Sequence, residues 1–198
     1  MKILAFVDLH GNKNSLKKVM ALHEKHRPDA IIAAGDLTMF ENSIQTILFN
    51  LNSLRVPVMV VHGNHETAGS LRQACNRFSN IKFIHSERHV IGKTHFIGYG
   101  GGGFARVDEE FERLNKKFEA MLKGAEKSIL TLHAPPHGTT LDYLHGEHVG
   151  NKSFTKFIYE IQPSLVICGH IHENRGKIDL IGKTKIVNPG PEGIIIEL

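Results

Sequence analysis

The chain predicts an α/β layered fold in a single domain, residues 1–198. Two observations point there. Short apolar runs rich in strand formers alternate with segments of helical periodicity along most of the length. No linker, fixed-period repeat or low-complexity tract divides them, and 198 residues suffice for one full core.

The elements follow in order. The run KILAFV (2–7) reads as a strand and leads into NSLKKVMALHEKH (14–26), where Leu16, Val19, Met20 and His23 share a helical face. A second strand, 30–35, precedes an apolar-periodic helix over 43–54. A third, 56–63, precedes a shorter helix around 71–78. Short strands are expected at 82–85, 88–91 and 95–98. The clearest helix spans 108–123, with Phe111, Leu114, Phe118 and Met121 along one side. Strands 128–133 and 164–170 bracket a helix at 153–161 that Pro163 ends. The chain closes with strands at 177–181, 185–187 and 193–197. These and the 81–98 run add antiparallel or mixed pairing.

Composition narrows the classes. Apolar residues make up 41% and charged residues 22%, the balance of an ordinary globular domain. No stretch approaches the roughly 18 apolar residues of a membrane helix, so no membrane partner is expected. The opening MKILAFVDLHGN is interrupted by Asp8 and His10, which fits a first strand better than a signal peptide. A net charge of +4 without a dense Lys/Arg block does not point to nucleic acid. Cys75 and Cys168 lack metal-type spacing, and their low number suggests a reducing, cytoplasmic compartment. The unusual figure is fourteen histidines.

Sorting those histidines exposes a pattern at the strand ends. Asp8 and His10 follow the first strand, Asp36 the second, Asn64 and His65 the third, His133 the 128–133 run, and His170 and His172 the 164–170 run. The carboxyl edge of an open α/β sheet is where ligands bind, so side chains far apart in sequence are expected to meet at one rim. Imidazole and carboxylate together suit borderline divalent ions, and the lack of thiolates argues against a closed structural zinc site. Glycines beside Asp36, Asn64, His170 and His10 would permit the sharp turns that expose these groups.

In sequence order these residues stand as Asp8-Leu9-His10, Gly35-Asp36, Gly63-Asn64-His65-Glu66, His133 and Gly169-His170-Ile171-His172. The set resembles the calcineurin-like metallophosphoesterase superfamily, and VNPG at 187–190 is a further recurring element. The stretch HAPPHGTTLD…HVG…CGHIHE is similar to the small single-domain, phosphodiesterase-like branch. The resemblance implies a four-layer α/β/β/α sandwich with two mixed β-sheets. It also implies two divalent metal ions, manganese first, with iron, zinc or nickel as alternatives. One ion would be held by Asp8, His10, Asp36 and His172, the other by Asp36, Asn64, His133 and His170, with Asp36 bridging.

The expected reaction is hydrolysis of a small phosphodiester, cyclic nucleotides among the candidates, by hydroxide made available between the ions. His65 would be the catalytic acid toward the leaving group, and Glu66 would orient a ligand or His65. A phosphomonoesterase or protein phosphatase is the enzymatic alternative. The arginines of the GD-x-x-DRG motif are absent, since Leu37, Thr38 and Met39 follow Asp36. A non-catalytic scaffold of the same fold is the other alternative, against which the retention of all five motifs counts.

Single residues have blander readings. Asp8 or Asp36 alone would be a helix cap, but independent caps have no reason to fall in this order. His23, His26, His62, His85, His89 and His95 read as core-edge or surface groups. His137, His145 and His148, on the turn-rich 134–152 segment, are candidates to face substrate. GYGGGG (98–103) reads as a flexible loop near the site rather than a phosphate cradle, Cys168 as packing, and Lys177, Lys183 and Lys185 as a solvated hairpin.

Overall fold

A computed structural model describes all residues 1–198. Two sheets carry the architecture. The first has five strands in the order β13-β1-β2-β3-β4, namely Ile194–Glu197, Lys2–Phe6, Ala30–Ala33, Val58–Val60 and Ile81–Phe83. The second has six, β11-β12-β10-β7-β6-β5: Ile178–Ile181, Thr184–Val187, Leu165–Ile167, Lys127–Leu132, Thr94–Tyr99 and Arg88–Ile91. Both are mixed. The inner strands β1 to β4 run parallel, as do β6, β7, β10 and β12, while β13, β5 and β11 pair antiparallel at the edges.

The alternation of side chains along β1 shows the layering. Leu4 and Phe6 enter a core shared with Val19 of helix α1 (Lys13–His26), Leu48 of α2 (Ile44–Asn52) and Leu71 of α3 (Ala68–Cys75). Ile3, Ala5 and Val7 face the other way, into a core with Phe96, Ile129, Ile167 and Val187 of the second sheet. A third core packs the outer face of that sheet against Phe111 and Phe118 of α4 (Glu109–Leu122) and Phe154 and Phe157 of α5 (Lys152–Ile161). Three cores between four layers make the expected α/β/β/α sandwich.

The two runs expected to add antiparallel or mixed pairing do so, and each divides between the sheets. Ile81–Phe83 joins the first sheet parallel to β3, whereas Arg88–Ile91 and Thr94–Tyr99 form an antiparallel hairpin in the second. The C-terminal series also divides: β11 and β12 pair in the second sheet, while β13 crosses to pair with β1. A short hairpin, β8 (Tyr143–Leu144) and β9 (Glu147–His148), lies within the 134–152 segment. No helix is long and apolar enough to cross a membrane.

Candidate active site

The ends of β1, β2, β3, β7 and β10 deliver the candidate ligands to one rim. Backbone hydrogen bonds lace these turns together: Asp8 N–H donates to Gly35 O at 3.1 Å, His10 N–H to Asp36 O at 2.9 Å, and Gly169 N–H to His133 O at 2.8 Å. The carboxylates also accept from backbone, Asp36 Oδ1 from His65 N–H at 2.9 Å and Asp8 Oδ2 from His170 N–H at 3.0 Å. Each loop thus fixes its neighbour's functional side chain.

Two glycines allow this approach by lacking a Cβ. One added at Gly63 would stand 1.9 Å from Asp36 Oδ1, and one at Gly169 would lie 2.3 Å from Val7 Cγ2 and 2.8 Å from Asp8 Oδ2. Positive φ occurs at two neighbouring glycines, Gly11 (71°) and Gly35 (96°), and at the functional residues themselves: Asp8 (54°), His10 (47°), Asp36 (50°) and His170 (67°).

The side chains converge closely. His10 Nε2 and His172 Nε2 face each other at 3.1 Å, with Asp8 Oδ2 3.9 Å from the latter. His133 Nε2 lies 3.1 Å from Asn64 Oδ1 and 3.4 Å from Asp36 Oδ2. His10 Nε2 and His65 Nε2 stand 3.8 and 4.0 Å from that same Asp36 oxygen. His170 packs its ring on His133 with centroids 5.3 Å apart.

Asp8, Asp36 and His133 are buried. The Nδ1–H of His133 donates to Ala34 O at 3.0 Å, which leaves the Nε2 lone pair directed into the cluster. Asp8 Oδ1 and His170 Nε2 are buried without a hydrogen-bond partner. Ring nitrogens meeting face to face beside carboxylate oxygens, with unpartnered donors among them, fit divalent cations of the borderline class.

Within the cluster itself the buried charges act on one another. Burial pushes the Asp36 carboxyl up, but the hydrogen bond and charge of His133 outweigh it and hold the pKa at about 2. Burial pushes Asp8 up, with His133 and His172 opposing. His170 is lowered to about 4 by burial and then by His133, and His10 is lowered chiefly by burial. His133 is raised: burial works against its charged form, and the partner Asp36 prevails.

A family model for the calcineurin-like phosphoesterases matches residues 1–174. The chain belongs to this family. An uncharacterized protein of Methanocaldococcus jannaschii is 32% identical, covering 99% of this chain and 91% of its own length. A probable glycerophosphodiester phosphodiesterase of Arcobacter nitrofigilis is 24% identical, covering 75% of this chain and 58% of its own. Among solved structures, a protein of Thermus thermophilus superposes with a TM-score of 0.78 at 19% identity, covering 96% of this chain and 90% of its own. A dimetal phosphatase from Danio rerio gives 0.67 at 11%, covering 94% and 86%. The two structural likenesses show a shared fold.

Around the candidate ligands of this phosphoesterase, the structure specifies the part expected of Glu66 and adds Arg175, which the sequence did not single out. Glu66 is buried and holds the backbone of Asp36 without a hydrogen bond to His65. Its Oε2 accepts from the N–H groups of Asp36 (3.1 Å) and Gly63 (3.2 Å), its Oε1 from Thr38 N–H (2.7 Å) and Thr38 Oγ1 (2.9 Å), so it clasps two loops. Arg175 closes the turn that begins at His172, its Nε donating to His172 O at 3.0 Å. With Asp8, His10, Asn12, Ser15 and His172 it lines a cavity of about 230 Å³. His137 and His148 instead turn to the fully buried Asp142, at 3.6 and 2.8 Å, and His145 is exposed in the β8–β9 turn. In these contacts the Asp142 pair organises its own loop.

Proposed function

We propose that this calcineurin-like phosphoesterase hydrolyses small phosphodiesters with two divalent ions, manganese being the first to supply, in the cytoplasm. The convergence of five strand ends on one cluster of carboxylate, amide and imidazole atoms, with Asp8 Oδ1 and His170 Nε2 unpartnered, carries the reading. Asp8, His10, Asp36 and His172 would hold one ion, and Asp36, Asn64, His133 and His170 the other. When bound, the pair supplies Lewis acidity: charge neutralisation at the phosphoryl oxygens and a nucleophile available at neutral pH.

The chain's own residues do the remaining work. Asp36, whose Oδ2 lies within 3.4–4.0 Å of His133, His10 and His65, would anchor both halves of the site. Glu66 fixes the backbone on either side of it. His65, with Nε2 4.0 Å from Asp36 Oδ2, would donate a proton to the departing oxygen. Arg175 lines the adjoining cavity, where its guanidinium would pair with a phosphoryl oxygen. The similarity to a probable glycerophosphodiester phosphodiesterase supports the choice of a diester.

The test is a substrate panel with the manganese-loaded protein: 2′,3′- and 3′,5′-cyclic nucleotides, chromogenic diesters and monoesters, and single-stranded nucleic acid. Small diesters should turn over fastest. Preference for monoesters would overturn the diester reading, and two bound ions without turnover of any substrate would indicate a scaffold.

A further inference from the structure

We propose that Phe40 and Phe104 form a recognition surface for a planar aromatic group, a nucleobase or aryl ring, carried by the phosphoester. The proposal rests on the reading of the cluster as a phosphoesterase site. Phe40 is 73% exposed, with its ring centroid 4.7 Å from that of His65. Phe104 is 59% exposed, with its ring 4.7 Å from that of His170. Singly exposed apolar residues are common on any surface. Here two phenylalanines from separate loops each lean on a different histidine of the cluster.

The backbone works to keep Phe40 outside. Its φ is 50° and that of Glu41 is 64°, a region sterically unfavourable for bulky side chains. Glu41 holds the conformation by accepting from Thr67 N–H at 2.9 Å and Thr67 Oγ1 at 3.1 Å, just beyond Asn64 and His65. Strain maintained beside a functional cluster is a signature of a role there. Phe104 follows three glycines with φ of 81°, 100° and 52°, so no side chain at 101–103 crowds its approach to the rim. The loop is pinned at its near end, where a Cβ on Gly100 would meet His62 O at 2.3 Å. The ligand cluster is polar and rewards a phosphate, whereas the two rings reward a flat, apolar face.

The experiment measures calorimetric binding of adenosine 5′-monophosphate and of ribose 5-phosphate to the manganese-loaded protein. Both probes offer the same phosphate, and only one carries a base. The nucleotide should bind about tenfold or more tightly than the sugar phosphate. Phe40→Ala and Phe104→Ala should each weaken the nucleotide about tenfold, with ribose 5-phosphate within about twofold and metal content unchanged. Phe104→Tyr should retain the affinity and Phe104→Leu should not. Equal binding of the two probes to the wild type, equal losses of both in the variants, or full recovery by leucine would overturn the proposal. Phe-dependent nucleotide binding without hydrolysis of any panel diester would retire the phosphodiesterase reading and leave aromatic recognition standing.

Discussion

Replacing Glu66 by glutamine tests whether the site is built by backbone ties. The carboxylate accepts from four donors: two N–H groups on one oxygen, an N–H and a hydroxyl on the other. An amide offers one acceptor oxygen and one NH₂ group, and the NH₂ must face one of those pairs. Facing Thr38 is the milder choice, because its hydroxyl can turn and accept, yet the Thr38 N–H is then left buried and unpaired. That costs about 1–3 kcal/mol, and the two surviving bonds lose roughly 0.5–1 kcal/mol each on losing their charge. Burial pushes the Glu66 pKa up, with the Thr38 and Gly63 donors opposing, so neutralising the group returns part of this. The net expectation is about 2–4 kcal/mol of destabilisation. Urea unfolding of the chelator-treated protein should show the midpoint falling by roughly 1–2 M at unchanged slope. A change under about 0.5 kcal/mol would refute the reasoning, since four buried bonds cannot be exchanged so cheaply.

Three further outcomes are expected. Asp36→Asn should lower the content of both ions, whereas His10→Ala should mainly weaken one; elemental analysis showing one tightly held ion in the wild type, untouched by Asp36→Asn, would exclude a bridging role. His65→Asn should leave metal content intact, cost little on a nitrophenyl diester, and cost about 10²–10⁴-fold on an alkyl diester whose leaving oxygen needs a proton; metal loss would make His65 a ligand. His85 is lowered to about 4 by burial, then by His62 and Arg72, and its Nδ1 accepts from Gly100 N–H at 2.9 Å. Because the unfolded chain takes up this proton near pH 6.5 and the folded chain only near 4, stability should fall as pH drops through that window. His85→Gln should remove about 1–2 kcal/mol of that dependence in pH-dependent unfolding, after allowance for partial exposure.

The chemistry was legible where it followed directly from strand ends. A buried strand must stop at the sheet edge, and the residue after it is placed by the strand itself, so Asp8, Asp36, His133 and His170, each open to a blander reading alone, could together be expected at one rim. Sheet membership was not legible. Ile81–Phe83 and Thr94–Tyr99 have similar local patterns, and which sheet each joins depends on the partner edge available after folding. Arg175 and Phe40 were passed over because nothing local separates a cavity-lining arginine or an outward phenylalanine from ordinary surface and core residues. Their roles appear only once His172 and His65 are in place beside them.

The glycines were expected to take up the sharp turns, and Gly11 and Gly35 do so with positive φ. Gly63 and Gly169 serve instead by leaving room for carboxylates, and Asp8, His10, Asp36 and His170 adopt left-handed backbone as well. Such a conformation costs roughly 1–2 kcal/mol per non-glycine residue, so four of them would drain much of a domain's margin of about 5–15 kcal/mol if unsupported. Support comes from the bonds that cross between the loops: Asp8 to Gly35, His10 to Asp36, His170 to Asp8, and Glu66 to both Asp36 and Gly63. The same bonds aim the candidate ligands. A side chain held in strained backbone cannot relax away when the charges opposite it repel, and so the cluster stays assembled. The three cores beneath, with strands buried on both faces, provide the stability that lets the rim be strained.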